Sequence, residues 1–367
     1  LDLSLSDPDG AQSLLSGDIH LSGAGAATRY RLRGTFRAGE GFLVDREGRP
    51  VTNYDFAGNL NEGRLELAVN QAQRVVWDEQ LRLYTRDVGF NLPVLLDAFP
   101  AASNSTAQAT STKPATGTPS STPFTLTLAA QQSAIWLDDK RSIPADSLTV
   151  FYGDGVLSAG LEQGGGVARL DYSNDELILA GAGFTTEFLG PILELASFEG
   201  GEVRFRIEGR PESLDIEVSL ENTLLRDYKH LNNMLAFANT LPGLLTFNPP
   251  NYSRDGLPVS QAYAEVNYHG RMLDIKAVVL ESEELSMVGA GWIDLEKEVT
   301  DLIFNLDSGV RKSIGRIPLL GYVLAGGKDD SSLTLEVKGD LYDPTVSNSA
   351  AKDVVTYPLQ LVKRTLM

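Results

Sequence analysis

From Glu284 to Val346 the chain alternates apolar and polar residues. Leu285 and Met287, then Ile293 and Leu295, then Leu302, Phe304 and Leu306, then Leu333, Leu335 and Val337 mark every second position. A period of two puts successive side chains on opposite faces of a strand, so these segments predict antiparallel strands with one apolar and one wetted face. Gly289, Gly291, Gly309, Gly326, Gly327 and Gly339 punctuate the pattern at positions suited to turns or close backbone approach. The segment therefore predicts a meander.

The same period recurs upstream. Short strands with Gly-rich turns are expected over residues 1 to 99, as at Asp18 to Ser22, Arg29 to Arg37 and Arg64 to Asn70. In the second of these, Tyr30, Leu32, Gly34 and Phe36 share one face and Arg29, Arg31, Arg33 and Arg37 take the other. Those arginines fit contact with lipid headgroups or a partner, and fit better a solvated strand face that resists edge pairing. Strands are expected again at Ser147 to Tyr152, Val156 to Leu161, Val167 to Tyr172, Leu177 to Ala180, Val203 to Ile207 and Leu214 to Leu220.

Helical spacing is rarer. Gly89 to Phe99 predicts a short apolar helix, and Thr185 to Ser197 a second, with Phe188, Leu189, Ile192, Leu193 and Ala196 on one side and Pro191 to kink or shorten it. Asp227 to Leu241 predicts a third. Ser349 to Met367 predicts an amphipathic C-terminal helix with Lys352, Lys363 and Arg364 on its polar side, placed to plug one end of the sheet or to face anionic lipid. Ala101 to Pro123 is almost wholly Ser, Thr, Ala, Pro, Asn and Gln, with no large apolar side chain to offset the entropy of ordering. It reads as a flexible loop or linker, between domains or between two strands of one sheet. The expected divisions are a β-rich groove segment over 1–100, this loop over 101–123, a β-domain over 124–348 and the helix over 349–367.

Two passages resemble each other: ELILAGAGF at Glu176 to Phe184 and ELSMVGAGW at Glu284 to Trp292. Repetition of a strand and a Gly-aromatic turn suits an architecture extended by adding units.

GAGWIDL at Gly289 to Leu295, the amphipathic strand after it, IPLLGYVLAGG at Ile317 to Gly327, and the strand ending VKGDLYDP resemble the C-terminal region of the AsmA-like family, which includes the YhdP and TamB types of bacterial envelope protein. The likeness spans about Phe184 to Met367. It implies an elongated, curled antiparallel sheet forming an open hydrophobic groove. It also implies a periplasmic protein, attached to the inner membrane through a segment upstream of Leu1, that carries phospholipid towards the outer membrane.

Composition narrows the chemistry. The net charge of −18 opposes nucleic-acid binding, which depends on Lys and Arg displacing counterions. With no cysteine there is no thiol nucleophile, thiolate metal site or disulfide, which suits an oxidising compartment. No run of 18 apolar residues occurs: the nearest to one, Met234 to Pro250, is uncharged but broken by Asn, Thr and Pro. His20, His230 and His269 are too far apart in sequence for a metal-ligand motif, and Asp329 with Asp330 or Glu283 with Glu284 fit polar bends better than acid/base pairs. No catalytic centre and no cofactor are expected.

A lipid carrier needs an apolar trough instead, since burying each tail CH₂ is worth roughly 0.8 kcal/mol. Phe205, Ile207, Ile216, Val218, Val266, Tyr268, Ile275, Met287, Ile293 and Phe304 occupy the apolar register and are the expected lining. Periodicity alone fits an ordinary sandwich core as well, and it is the resemblance that favours a groove. The expected partners are phospholipid, the two membranes and envelope proteins. Two other functions fit the sequence: an envelope scaffold that binds proteins through sheet edges without lipid, and a carbohydrate-active β-protein.

Overall fold

The computed structural model describes residues 2–5, 15–22, 29–38, 41–70, 72–94, 125–192, 197–226, 256–283, 285–307 and 332–348. The protein is mainly β, and its contacts divide it into two compact units, Leu1–Asp175 and Glu176–Met367.

The first unit contains β1 (Asp2–Leu5), β2 (Leu15–Ser22), β3 (Arg29–Ala38), β4 (Leu43–Val44), β5 (Asn53–Asn61), β6 (Arg64–Val69), β7 (Gln73–Trp77), β8 (Leu81–Arg86), β9 (Gly89–Asn91), β10 (Leu126–Trp136), β11 (Ser142–Gly153), β12 (Val156–Gln163) and β13 (Gly166–Ser173). Neighbours pair in the order β1, β2, β3, β5, β6, β7, β8, β10, β11, β12, β13. Every contact in that series is antiparallel except β8 with β10, which run parallel, as do β9 and β10. The Ser/Thr/Pro stretch therefore lies within one unit, between paired strands, and does not divide residues 1–100 from those after 124. Its own residues, 101–123, lie outside the described set.

Local chemistry closes the hairpins. Glu62–Gly63 and Asp154–Gly155 both have positive φ, the geometry of two-residue turns whose twist matches that of strands. Between β4 and β5, the Asp45 carboxylate accepts the backbone N–H groups of Glu47 and Arg49 at 2.9 and 3.0 Å. This fixes a loop that lays Leu43 and Val51 against the core of Tyr54, Phe56 and Val69.

The second unit contains β14 (Glu176–Phe184), a 3-10 turn (Thr186–Leu189), β15 (Ser197–Glu199), β16 (Glu202–Arg210), β17 (Ser213–Arg226), β18 (Leu257–His269), β19 (Met272–Glu281), β20 (Ser286–Asp294), β21 (Val299–Asp307), β22 (Ser332–Asp340) and β23 (Thr345–Asn348). It is an antiparallel series β14, β16, β17, β18, β19, β20, β21, β22, β23, with β15 pairing the far end of β17. Among the described pairings, neither unit joins its first strand to its last, so the strand series is open in each.

The expected strands are all present. Among the described residues of the helix predicted over Thr185 to Ser197 there is only a 3-10 turn at Thr186–Leu189, and Ser197 starts a strand; residues 193–196 lie outside the described set. Pro191 removes a backbone donor and stops the turn from propagating. Gly89–Asn91, placed at the start of a helix by its apolar content, is a strand, and helix is described only at residues 92–94. Leu295 is not an inward strand residue. It follows β20 and is 38% exposed. The helices expected at 227–241 and 349–367 lie outside the described residues, as do His230, Asp329 and Asp330.

Candidate functional site: an apolar sheet face

Register across the second unit puts all ten residues expected to line a groove on one face. Phe205 faces Val218 and Ile207 faces Ile216. Ile216 faces Val266, and Tyr268 faces Leu214 on the same side. Val266 faces Ile275, Leu273 faces Ile293 and Leu280 faces Met287. Phe304 then lies opposite Gly289, one step from Met287. Since paired residues of antiparallel strands share a face, the row is continuous from β14, where Leu179 faces Ile207, to β22, where Leu335 faces Phe304.

Two irregularities keep that face apolar. In β19 the inward set is Leu273 and Ile275, then Val278 and Leu280, because a bulge at Lys276 and Ala277 inserts one residue against both neighbouring strands. In β17, Asn222 takes φ 54° and the alternation restarts one residue out of step, so Thr223 and Leu225 are buried where Leu220 was before. Leu257 and Val259 on β18 shift with them and join Leu280 and Met287 in one cluster. The first unit repeats the device: Gln132 has φ 50°, and the buried position passes from Ala130 to Ser133.

The face is not uniform. At the end where the chain leaves for 227–255 and 308–331, Leu306 and Leu335 are fully buried, with Met287, Phe304 and Val337 beside them. At the end carrying the tight turns after Arg210, His269 and Asp294, the residues Ile207, Ile216, Val266, Tyr268, Ile275 and Ile293 are only half-buried. Phe205 is covered differently. Phe188, brought in by the 3-10 turn, has its ring centroid 6.0 Å from that of Phe205 and 4.1 Å from that of Phe184. Thr186 anchors that turn through its hydroxyl, which donates to the Gly200 carbonyl and lies 3.2 Å from the Thr223 hydroxyl. Met287, Phe304 and Phe205 are thus floor and wall, and the remaining seven form the accessible lane.

The opposite face carries ion pairs beside a smaller apolar patch, where Tyr263 faces Val279, Val279 faces Val288 and Ala290 faces Ile303. Arg206 bridges Glu208, Arg204 bridges Glu202 at 3.1 Å, and Lys338 lies 3.2 Å from Glu336 and 3.6 Å from Asp301. The hydrogen bond to Glu336, with Asp301 nearby, holds the Lys338 ammonium above its ordinary pKa. Tyr263 also sits on this face. Partial burial, with Glu217 and Glu265 beside it, pushes its hydroxyl up to about 12. Asp294, at the β20–β21 turn, accepts the Lys297 ammonium at 2.7 Å and the backbone N–H groups of Glu296 and Lys297, which keep its carboxyl below the usual range.

The first unit carries an equivalent face that the expected lining omitted. Leu83 faces Leu128, Leu128 faces Val150, Val150 faces Ala159 and Ala159 faces Leu170. Its alternation is visible strand by strand, but register between strands is not a property of any one segment. The expected split on β3 is present: Leu32, Gly34 and Phe36 are half-buried, and Arg31, Arg33 and Arg37 exposed. Phe36 stacks on Tyr54 with centroids 4.7 Å apart. His269 is an exposed residue at a strand end, and no cluster of three metal-ligating side chains occurs among the described residues.

The two GAG passages are structurally alike. Gly181 in β14 faces Phe205, and Gly289 in β20 faces Phe304. A Cβ at either glycine would meet the ring at 2.5 and 2.2 Å respectively. Compared with protein-family models, with curated proteins and with solved structures, the chain matches none.

Proposed function

We propose that the protein is a lipid carrier of the bacterial envelope: a periplasmic AsmA-like bridge component whose apolar sheet face shields phospholipid acyl chains on their way between the inner and outer membranes. The supporting observation is the half-buried lane on the second unit. A sandwich core of that length buries its inward side chains, whereas here Ile207, Ile216, Val266, Tyr268, Ile275 and Ile293 keep partial access in one continuous row. Strands about 4.8 Å apart, each contributing two or three such side chains, give an acyl chain an unbroken apolar path with a charged, ion-paired face behind it. This reading assigns the chain no catalytic step and no cofactor.

Mass spectrometry of organic extracts of the purified protein tests it, with Val218→Asp and Ile275→Arg beside the parent. A carrier yields bound phospholipid, and each variant stays folded and loses that lipid, because a charge placed in an open lane can reach water. Collapse of both variants, or unchanged lipid content, counts against the lane. A stable protein partner in the absence of lipid would favour a scaffold instead.

A further inference from the structure

On the first unit, one register row crosses the apolar face next to the hairpin tips: Tyr30 faces Leu60, Leu60 faces Leu65, Leu65 faces Trp77 and Trp77 faces Leu81. The row continues through Leu126, Tyr152 and Leu157 to Tyr172. Every member is a leucine or an aromatic residue with a polar tip. Trp77 is 55% exposed, Tyr30 38% and Tyr152 37%. Deeper in the same face, Tyr54, Phe56, Val69, Ala130, Leu148 and Leu161 are buried. Apolar depth bordered by Trp and Tyr is the arrangement that suits the boundary between acyl chains and headgroups.

The hairpin tips beyond that row are acidic. Glu62, Asp78, Glu79 and Asp154 stand there; Asp78 is paired with Arg82, and Arg64 lies 2.8 Å from Glu66. Asp-Gly is a usual pair for the turn at Asp154, but Glu at position 62 is not what the turn geometry asks for. Carboxylates with exposed Trp and Tyr rings favour an ammonium group, through charge and through the ring faces, and disfavour a net negative headgroup.

From this we infer that the first unit's aromatic row is a headgroup-selective rim: it seats zwitterionic phospholipids bearing an amino headgroup, tails inward and headgroup at the hairpin tips, in preference to anionic ones. The inference rests on the lipid-carrier reading above and adds orientation and headgroup class to it.

The test incubates the full chain with vesicles of equimolar phosphatidylethanolamine and phosphatidylglycerol carrying identical acyl chains, re-isolates the protein and measures both bound lipids by mass spectrometry. The expected bound ratio favours phosphatidylethanolamine roughly two- to fivefold, the scale of exposed cation–ring contacts. Glu62→Lys with Glu79→Lys brings the ratio to one or below, and Trp77→Leu lowers the ratio, each variant remaining folded as checked by circular dichroism. Bound lipid at the vesicle ratio, or enriched in phosphatidylglycerol, overturns the rim and leaves the carrier reading standing. A chain that takes up neither lipid overturns both.

Discussion

Gly289 lies directly across the β20–β21 ladder from Phe304, and the ring occupies the space a side chain would need: a Cβ there would come within 2.2 Å of Phe304 Cδ1. Phe304 is itself buried in the cluster with Leu306 and Leu335, so it has little room to yield. Gly289→Ala should cost about 1–3 kcal/mol, as overpacking of a filled core does. Pairing it with Phe304→Leu should recover part of that loss, a coupling that urea unfolding of both single variants and the double variant measures. Strict additivity would show that the ring does not set the need for glycine.

The gradient of burial along the face predicts a gradient of stability. Leu335→Ala, at a fully buried site, should cost about 2–5 kcal/mol. Ile207→Ala, in the half-buried lane, should cost less than half as much, because the parent side chain already meets water and no closed cavity forms. Thermal melts of the two variants decide it, and equal losses would mean the lane is as closed as the core.

Asn222 switches the buried phase of β17 from a left-handed backbone, φ 54°. Asn222→Gly should leave stability within a few tenths of a kcal/mol, whereas Asn222→Val should lose about 1–2 kcal/mol, since a branched side chain resists that conformation. Denaturant midpoints distinguish this from a plain strand position, where valine would stabilise.

Tyr263 supplies an alkaline signature. Its folded pKa is raised to about 12 from an ordinary value of 10.0, so the folded state holds the proton longer than the unfolded one. Stability tied to this group is complete below the unfolded value and is lost as pH climbs from about 10 towards 12. Tyr263→Phe should flatten the fall in melting temperature over that window, and its difference spectrum should lose phenolate absorbance that develops late in the titration. An identical pH slope in parent and variant would remove Tyr263 from the alkaline response.

Much of the fold was legible because strand periodicity is local. Phe205 and Ile207, or Leu333 and Leu335, announce their face within a few residues. The common face of the ten candidate residues also followed, since hairpins preserve inward parity from strand to strand. What escaped was whatever depends on non-local geometry. The bulge at Lys276 moves the inward positions to Val278 and Leu280, and nothing in AVVLE announces an extra residue. Phe188 sits at helical spacing with Ile192, yet Pro191 leaves only one turn, and the ring caps Phe205 instead of continuing a stripe. The row from Tyr30 to Tyr172 could not be seen, because its members lie on strands whose mutual register the sequence does not state.

The parallel pairing of β8 with β10 sets how the first unit bears load. Antiparallel hairpins, pulled from their open ends, unzip one bridge at a time and yield at low force. A pull transmitted through the start of β8 and the end of β10 acts at opposite ends of their ladder, so the pairs from Leu81–Leu126 to Arg86–Gln131 are strained together in shear. In a chain stretched along its length this ladder is the mechanical clamp.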